Sequence, residues 1–243
     1  HWVSRGYVVV QPTHSDSLSL MDRDERIEAL RGFKRNKNGV FRDWRNRPKD
    51  VSFVIDSLDE IAKRLPALKG KIDIERIGLG GHSYGAHTSQ IVGGVRPVLP
   101  GGGLVDLRDK RARCVLLISP QGREALLKED SWKTLAVPMM TVTGSRDKGR
   151  NGDGAMWRTE PFRFCPPGDK VLVWIEGADH GFGGIAGGVR LKGHRKNETH
   201  VDIVRAASLT FWDAWLKEDA AAKKGLSKEA LEGLDESVKA KTK

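Results

Sequence analysis

The sequence contains few of the residue types and patterns that mark several large classes of protein. Only two cysteines occur in 243 residues, which excludes a small scaffold built on disulfides. Neither cysteine has metal-ligand spacing, and no cofactor-binding motif occurs, so we expect neither a metal nor a cofactor. No apolar run approaches the roughly 18 residues of a membrane-spanning helix, so we expect no membrane span.

The two cysteines, Cys114 and Cys165, are expected to be free thiols, although one bridge between them stays open. The chain begins at His1 without a charged-then-apolar leader, so no signal peptide is predicted in it. A start at this residue suggests a processed or truncated N-terminus. The compartment stays undetermined, with the cytoplasm and secretion both open.

The charge balance is strongly basic, with 42 Lys and Arg against 32 Asp and Glu and a net charge of +10. Basic residues cluster over residues 31–47, where Phe33, Phe41 and Trp44 are interleaved with them, and again in the C-terminal tail. Such a mixture is compatible with nucleic-acid binding, but no nucleic-acid motif accompanies it. A solvated basic surface is the simpler interpretation, and we predict no nucleic-acid partner.

Apolar runs alternate with helical patterns along the chain. The runs typical of buried strands occupy residues 7–10, 77–79, 114–119, 137–143 and 170–176. Helical patterns occupy residues 23–30, 48–65, 86–92 and 201–216, and residues 219–243 form a charged tail predicted to be helical, with Ser227 as an N-cap. This alternation predicts an α/β fold with a mainly parallel sheet covered on both faces. We expect one catalytic domain over residues 1–218, followed by the tail.

Two of these helices have identifiable inner faces. In the first, Pro48 and Asp50 suit the opening turn, and the apolar positions are Val51, Val54, Ile55, Leu58, Ile61, Ala62 and Leu65. In the last, the inward candidates are Val204, Ala207, Phe211 and Trp215.

Residues 81–85 read Gly-His-Ser-Tyr-Gly, between a short apolar strand and a helical segment. A G-x-S-x-G pattern in this context is typical of a nucleophile elbow, in which a serine stands at a sharp strand-to-helix turn. Such a turn strains the backbone, and the flanking glycines are expected to remove side chains that would clash there. An ordinary tight turn remains the alternative for the motif alone.

An acid and a histidine follow Ser83 in the order that α/β-hydrolases use. Asp147 lies in the turn after one predicted strand, and His180 lies in the loop after the next. Because the carboxyl ends of parallel strands meet at one edge of the sheet, we expect the three side chains to lie together. A histidine oriented by an acid can remove the proton of a serine hydroxyl, which is otherwise a poor nucleophile.

Alternatives remain for the acid, because Asp147 could be a simple turn former and Asp179 or Glu176 could replace it. The other histidines have simpler interpretations. His82 and His87 are expected to be packing or polar-network residues, and His194 and His200 to be exposed in a basic loop.

The backbone N–H of Tyr84, the residue after the nucleophile, is the expected oxyanion donor. The usual second donor comes from a His-Gly-rich loop upstream of the elbow, and no such loop precedes Ser83. A substitute from residues 12–15 is conceivable, with His14 as the first candidate. Tyr84 and three further residues are candidates for an apolar acyl pocket: Met156, Trp157 and Phe162. A core role for Trp157 is equally compatible with the sequence.

Four stretches resemble bacterial proteins described as predicted dienelactone hydrolases, which are α/β-hydrolases related to platelet-activating-factor acetylhydrolases and polyester hydrolases. They are Gly-His-Ser-Tyr-Gly-Ala at 81–86, Arg-Pro-Lys-Asp-Val-Ser-Phe-Val-Ile-Asp at 47–56, Thr-Gly-Ser-Arg-Asp at 143–147 and Gly-Ala-Asp-His at 177–180. The resemblance covers the chain to about residue 220. It implies a serine carboxylesterase that hydrolyses short-chain carboxylic esters through an acyl-enzyme, with Ser83, Asp147 and His180 as the triad. A true dienelactone hydrolase has cysteine at the nucleophile position.

The resemblance also implies an N-terminally truncated α/β-hydrolase fold that lacks three strands and the oxyanion loop. A serine peptidase or acyltransferase on the same scaffold stays open, and so does a catalytically crippled, hydrolase-like binding protein. The expected partner is a small-molecule ester. An uncovered sheet edge would favour pairing between copies, so a homo-oligomer is a further alternative.

Overall fold

A computed structural model describes residues 1–28, 44–149, 152–185 and 196–243. Its centre is a sheet of five strands that lie side by side in chain order: β1 (Ile77–His82), β2 (Ala112–Ile118), β3 (Met139–Gly144), β4 (Lys170–Ile175) and β5 (Val238–Thr242). Strands β1 to β4 are parallel, and β5 is antiparallel to β4. The fold is therefore of the α/β class with a mixed, mostly parallel sheet.

Helices precede the first strand and also lie between later strands. They are α1 (Asn46–Asp56), α2 (Leu58–Arg64), α3 (Tyr84–Gly93), α4 (Glu160–Phe164), α5 (Glu198–Leu216), α6 (Ala220–Gly225) and α7 (Lys228–Glu232). Residues 23–28 are also helical. In the part of the chain that the structure describes, no helix is both long and apolar enough to cross a membrane.

Alternate side chains of β2 enter cores on opposite faces of the sheet. Leu116 packs with Phe211 and the other buried side chains of α5. Leu117, the next residue, packs with Trp132 and with Ala86 of α3. Because both faces are covered, the strand is a nearly continuous apolar run, as parallel strands usually are. The prediction of helices on both faces is confirmed.

The run at residues 7–10 is not a strand, contrary to the sequence prediction. Val8, Val9 and Val10 are 40%, 46% and 41% exposed. A strand exists only through its ladder of hydrogen bonds to a neighbour, and no neighbouring strand pairs with this run in the described chain. Instead it lines a groove of about 500 Å³ along the outer edge of β1.

The helix predicted over residues 48–65 is two helices that meet at Ser57. The Ser57 hydroxyl donates to the carbonyl of Phe53 at 2.8 Å, a local bond of the kind that competes with regular helix geometry. Pro48 does lie in the first turn, but Asp50 lies beyond it and pairs with His14. Ile55 and Leu58 are buried as expected, whereas the predicted inward residue Leu65 is 50% exposed.

The tail begins with the helices α6 and α7, but the prediction of helix is wrong over Val238–Thr242. Val238 and Ala240 are buried while Lys239 and Lys241 are exposed, which is the two-residue period of a strand. Strand β5 therefore extends the sheet beside β4. Ser227 does cap α7, since its hydroxyl accepts from the N–H of Ala230.

Two expectations for the α5 region are corrected. Within α5, Trp212 is buried, whereas the predicted Trp215 is only half-buried. His200 was expected in an exposed loop, but it lies in the first turn of α5 and is half-buried. His194 and most of the basic cluster at 31–47 lie outside the described residues.

Candidate active site

Ser83 stands between the end of β1 and the first residue of α3. Its backbone has φ 55° and ψ −117°, a conformation that costs a non-glycine residue about 1–3 kcal/mol. Two hydrogen bonds hold it: the N–H of Ser83 donates to the carbonyl of Ile118 at 2.9 Å, and the N–H of His87 donates to the carbonyl of Ser83 at 3.1 Å. The serine therefore occupies a strained, fixed strand-to-helix turn.

Only one of the two flanking glycines is required by space. A Cβ on Gly81 would lie 2.2 Å from the carbonyl carbon of Gly85 and 2.4 Å from its oxygen. A Cβ on Gly85 would meet nothing within 4 Å. The sequence expectation that both glycines remove clashes is thus correct for Gly81 and wrong for Gly85, because the backbone at Gly85 is itself the obstacle to a side chain at Gly81.

Ser83, His180 and Asp147 form a continuous hydrogen-bonded relay. His180 Nε2 lies 2.9 Å from Ser83 Oγ, and His180 Nδ1 lies 2.9 Å from Asp147 Oδ1. Because a carboxylate only accepts, Nδ1 carries the proton and Nε2 is left to accept from the serine hydroxyl. The His180 side chain is 25% exposed, so the serine end of the relay is open to solvent.

Asp147 is fully buried, and every contact of its carboxylate comes from a donor. Thr143 donates to Oδ2 at 3.0 Å, and Ser119 donates to Oδ1 at 2.9 Å. Burial alone would raise the pKa of Asp147, but the hydrogen bond to His180 and the positive charge of Arg158 outweigh it and hold that pKa below its ordinary value. The acid is therefore ionised at neutral pH despite its burial.

The alternative acids lie elsewhere. The carboxylate of Asp179 accepts from the N–H of Gly181 at 2.8 Å, and that of Glu176 accepts from the indole of Trp174 at 3.3 Å. The structure places Asp147, and neither of these two, at the Nδ1 of His180.

The sequence offered little indication of two polar residues that surround the relay. Ser119 is fully buried with φ 53°, and its Oγ lies 2.7 Å from His180 Nδ1. Since Ser119 gives its own proton to Asp147, the Nδ1 proton is shared between the two oxygens. Ser119 follows directly after the apolar run of β2, and a polar residue at that place was the one available signal. Arg158 is only 4% exposed and comes from the inserted segment after β3. No sequence pattern indicated that it would be buried beside the relay.

His82 supports the backbone of the relay histidine. Its Nε2 donates to the carbonyl of His180 at 2.7 Å, and the two rings lie 4.7 Å apart. Burial, and next to it the proximity of His180, lower the pKa of His82 to about 4. A ring this close to His180 therefore stays neutral at ordinary pH. Phe182, whose ring packs edge-on against His82, is fully buried with φ 46°.

His87 lies in a buried polar contact, 3.2 Å from Glu124 through its Nε2. This fits the expectation of a polar-network residue for His87, as the contacts of His82 do for that residue. Both cysteines are buried and free, as expected. No group of three or more potential metal ligands occurs among residues 1–28, 44–149, 152–185 and 196–243.

The structure does not gather the candidates for an acyl pocket. Met156 is 65% exposed, and the indole of Trp157 donates to the carbonyl of Arg123 at 2.8 Å. Phe162 belongs to the core cluster that also contains Leu117 and Leu172 of the sheet, where its ring packs α4 against the strands. Tyr84 does lie at the site, with the guanidinium of Arg47 4.0 Å above its ring.

The imidazole of His14 hydrogen-bonds Asp50 through Nδ1 at 2.7 Å. That contact fastens the segment before α1 to the helix. It ties up one ring nitrogen of the residue considered as a substitute oxyanion donor.

No protein-family model and no curated protein matches this chain.

Proposed function

We propose that the protein is a serine hydrolase of the α/β-hydrolase type, a carboxylesterase that cleaves short-chain carboxylic esters through an acyl-enzyme. The observation that carries the proposal is the unbroken relay from Ser83 through His180 to Asp147, with the serine on a left-handed strand-to-helix turn. A catalytically crippled protein would be expected to separate Ser83 from His180. Their 2.9 Å spacing favours the active alternative.

In the proposed reaction, Ser83 Oγ attacks the ester carbonyl carbon while its proton passes to His180 Nε2. The resulting imidazolium is stabilised by Asp147, which keeps its negative charge throughout. The bond between the carbonyl carbon and the alcohol oxygen then breaks, and the leaving oxygen takes the proton from Nε2. Water repeats the sequence: His180 removes its proton, the hydroxide attacks the acyl group, and Ser83 leaves with the proton restored.

The negative oxygen of the tetrahedral intermediate needs donors fixed in advance. The N–H of Tyr84, at the first position of α3, is the proposed donor. Ser83 is the N-cap of this ten-residue helix, so the positive end of the helix dipole lies next to the serine. A second donor is proposed from the backbone of residues 12–15. Loss of one such donor typically lowers the rate by about 10²–10³-fold, so a site with Tyr84 alone would be a slow esterase.

Hydrolysis of p-nitrophenyl acetate and butyrate by the full chain tests the proposal. Ser83→Ala should abolish turnover above background. Ser89→Ala is the matched control, because Ser89 lies six residues after Ser83, nearly two turns along the same helix, and lines the groove beside β1. A fluorophosphonate probe should label wild type at Ser83, and peptide mapping should locate the adduct there. Equal ester hydrolysis by wild type and Ser83→Ala would overturn the proposal.

A further inference from the structure

We propose that Arg158 is a positioning residue of the relay: its guanidinium fixes the charged carboxylate of Asp147 and joins the two chain segments that carry the acid and Ser119. The inference rests on the proposed function, which it deepens. Arg158 is proposed to act through its contacts with Asp147 and His180.

Two sets of contacts of Arg158 support this inference. Nη1 donates to the carbonyl oxygens of Ser119 at 3.1 Å and Pro120 at 3.0 Å, and Nη2 donates to that of Lys148 at 3.3 Å. Nε lies 3.3 Å from Asp147 Oδ1. The first set links the segment after β2 to the segment after β3, and the second contact pairs the charge. A planar group with five donors can make both sets of contacts together.

Arg158 repels a protonated His180, and this repulsion is the basis of its proposed electrostatic role. Arg158 Nη2 lies 3.5 Å from His180 Nδ1, but both atoms carry protons when Nδ1 donates to Asp147. They therefore face each other as two donors. His180 consequently lies beside an ion pair instead of beside a lone buried carboxylate. Removing the guanidinium charge should leave the imidazolium bound to an uncompensated negative charge.

Other groups near Asp147 and His180 are neutral or point elsewhere, so they do not replace the charge of Arg158. Thr143 and Ser119 donate neutral hydroxyls to Asp147, and His82 faces the ring of His180 in its neutral form. The neighbouring carboxylate of Asp179 caps the N–H of Gly181. Arg158 is thus the positive group directly opposite the acid, and the acid limb of the pH–rate profile should depend on it.

Three variants of the full chain separate charge from bracing. Arg158→Met removes the charge and the donors, and Arg158→Gln keeps amide donors without the charge. Arg158→Lys keeps the charge, but its three donors on one nitrogen cannot reach three carbonyls and the Asp147 carboxylate together. Each rate is divided by the concentration of active sites, which is measured by titration with a fluorophosphonate. Unfolded protein therefore does not contribute to the comparison. We expect Arg158→Met and Arg158→Gln to move the acid limb of kcat/KM up by about one pH unit, which lowers kcat/KM about fivefold at the pH of the wild-type midpoint and about tenfold well below it. Lys should keep the wild-type limb and lose thermal stability.

Two outcomes would overturn the inference. If all three variants keep the wild-type limb per titrated site, Arg158 only braces the loops. If Lys moves the limb as far as Met and Gln do, the charge is not responsible. Should Met fail to fold, the comparison of Gln with Lys remains decisive.

A second measurement separates this inference from the proposed function. The ring of His180 is titrated by NMR in wild type and variants, with its signals assigned by a His180→Gln variant. If the wild type neither hydrolyses esters nor takes up the probe, the proposed function fails. The one-unit upward shift of the His180 titration in Met and Gln is still expected, and an unchanged titration would refute the role of Arg158.

Discussion

The two glycines of the elbow should respond to alanine with opposite signs. At Gly81 the added Cβ would lie 2.2 Å from a backbone carbon, against the 3.5–4.0 Å at which two carbons are in optimal contact. The obstacle is the first turn of α3, which cannot rotate aside as a side chain could. Relief therefore requires a shift of more than about 1 Å between β1 and α3, at the point where Ser83 stands.

The magnitudes follow from that geometry. Overpacking of a rigid site costs about 1–3 kcal/mol and sometimes more, and we expect Gly81→Ala at the upper end. In a chain of this size that lowers Tm by about 6–12 °C. Gly85 is the second residue of α3 with open space at its Cβ, and alanine there restricts the unfolded chain. Gly85→Ala should stabilise by up to about 1 kcal/mol.

Urea unfolding followed by tryptophan fluorescence measures both variants against wild type, and ester hydrolysis is measured in parallel. Gly81→Ala should also lose about 10²-fold in activity, because a displacement of about 1 Å of a catalytic group has that effect. Equal destabilisation by Gly85→Ala and Gly81→Ala would contradict this prediction, since the space around the two Cβ positions could not then be what distinguishes them.

Three further changes test the site and the core. Asp147→Asn should reduce kcat about 10⁴-fold at neutral pH, because the amide no longer holds His180 in the tautomer with the proton on Nδ1. Since the pKa of Asp147 is held below its ordinary 3.8, its ionised carboxylate stabilises the fold above that pH and this stabilisation is lost in acid; the variant should not show this acid loss. The pKa of His82 is lowered from its ordinary 6.5 to about 4 in the folded protein, so as the pH drops from 6.5 toward 4 the unfolded chain is protonated first and the free energy of unfolding falls by at most about 3 kcal/mol. His82→Gln should reduce this dependence of the free energy of unfolding on pH, and an unchanged dependence would contradict the assignment. Burial raises the thiol pKa of both Cys114 and Cys165, so a thiol reagent such as Ellman's should find no reactive group in the folded protein and two after denaturation.

The parts of the fold that the sequence predicts well are those dictated by local patterns. The buried parallel strands were visible as apolar runs, because both of their faces are covered. The relay could be located because Ser83, Asp147 and His180 each follow a strand, and parallel strands end at one edge. These inferences needed only the order of elements along the chain.

The failures have a common physical origin in long-range pairing. The run at residues 7–10 has the composition of a strand, but composition does not supply a partner. Strand β5 looked like part of a charged helical tail, because two lysines among its five residues mask the burial of Val238 and Ala240. In each case the state of the segment depends on whether another strand, distant in sequence, lies beside it.

Arg158 was unpredictable for a related reason. It is one of three arginines in a long insertion, and each of them resembles a solvated surface residue. Burial of an arginine is favourable only where an acid and several carbonyl groups converge. That convergence is a property of the folded loops. Ser119 was closer to prediction, since it follows an apolar strand, but a serine at a strand end is common and carried no distinct signal.

Three residues with left-handed backbone surround the relay: Ser83, Ser119 and Phe182. Each is a conformation that glycine would adopt more easily, so the fold retains local frustration where the reacting groups are held. Selection of this protein for heat resistance alone should therefore find improvements at the two serines, and Ser119→Gly is the clearest case. Phe182 is fully buried in the core, so the loss of its ring would outweigh the relaxed backbone. Ser119→Gly would relax the backbone and at the same time delete the hydroxyl between Asp147 and His180. A variant selected for a higher Tm would then lose turnover in the proposed reaction.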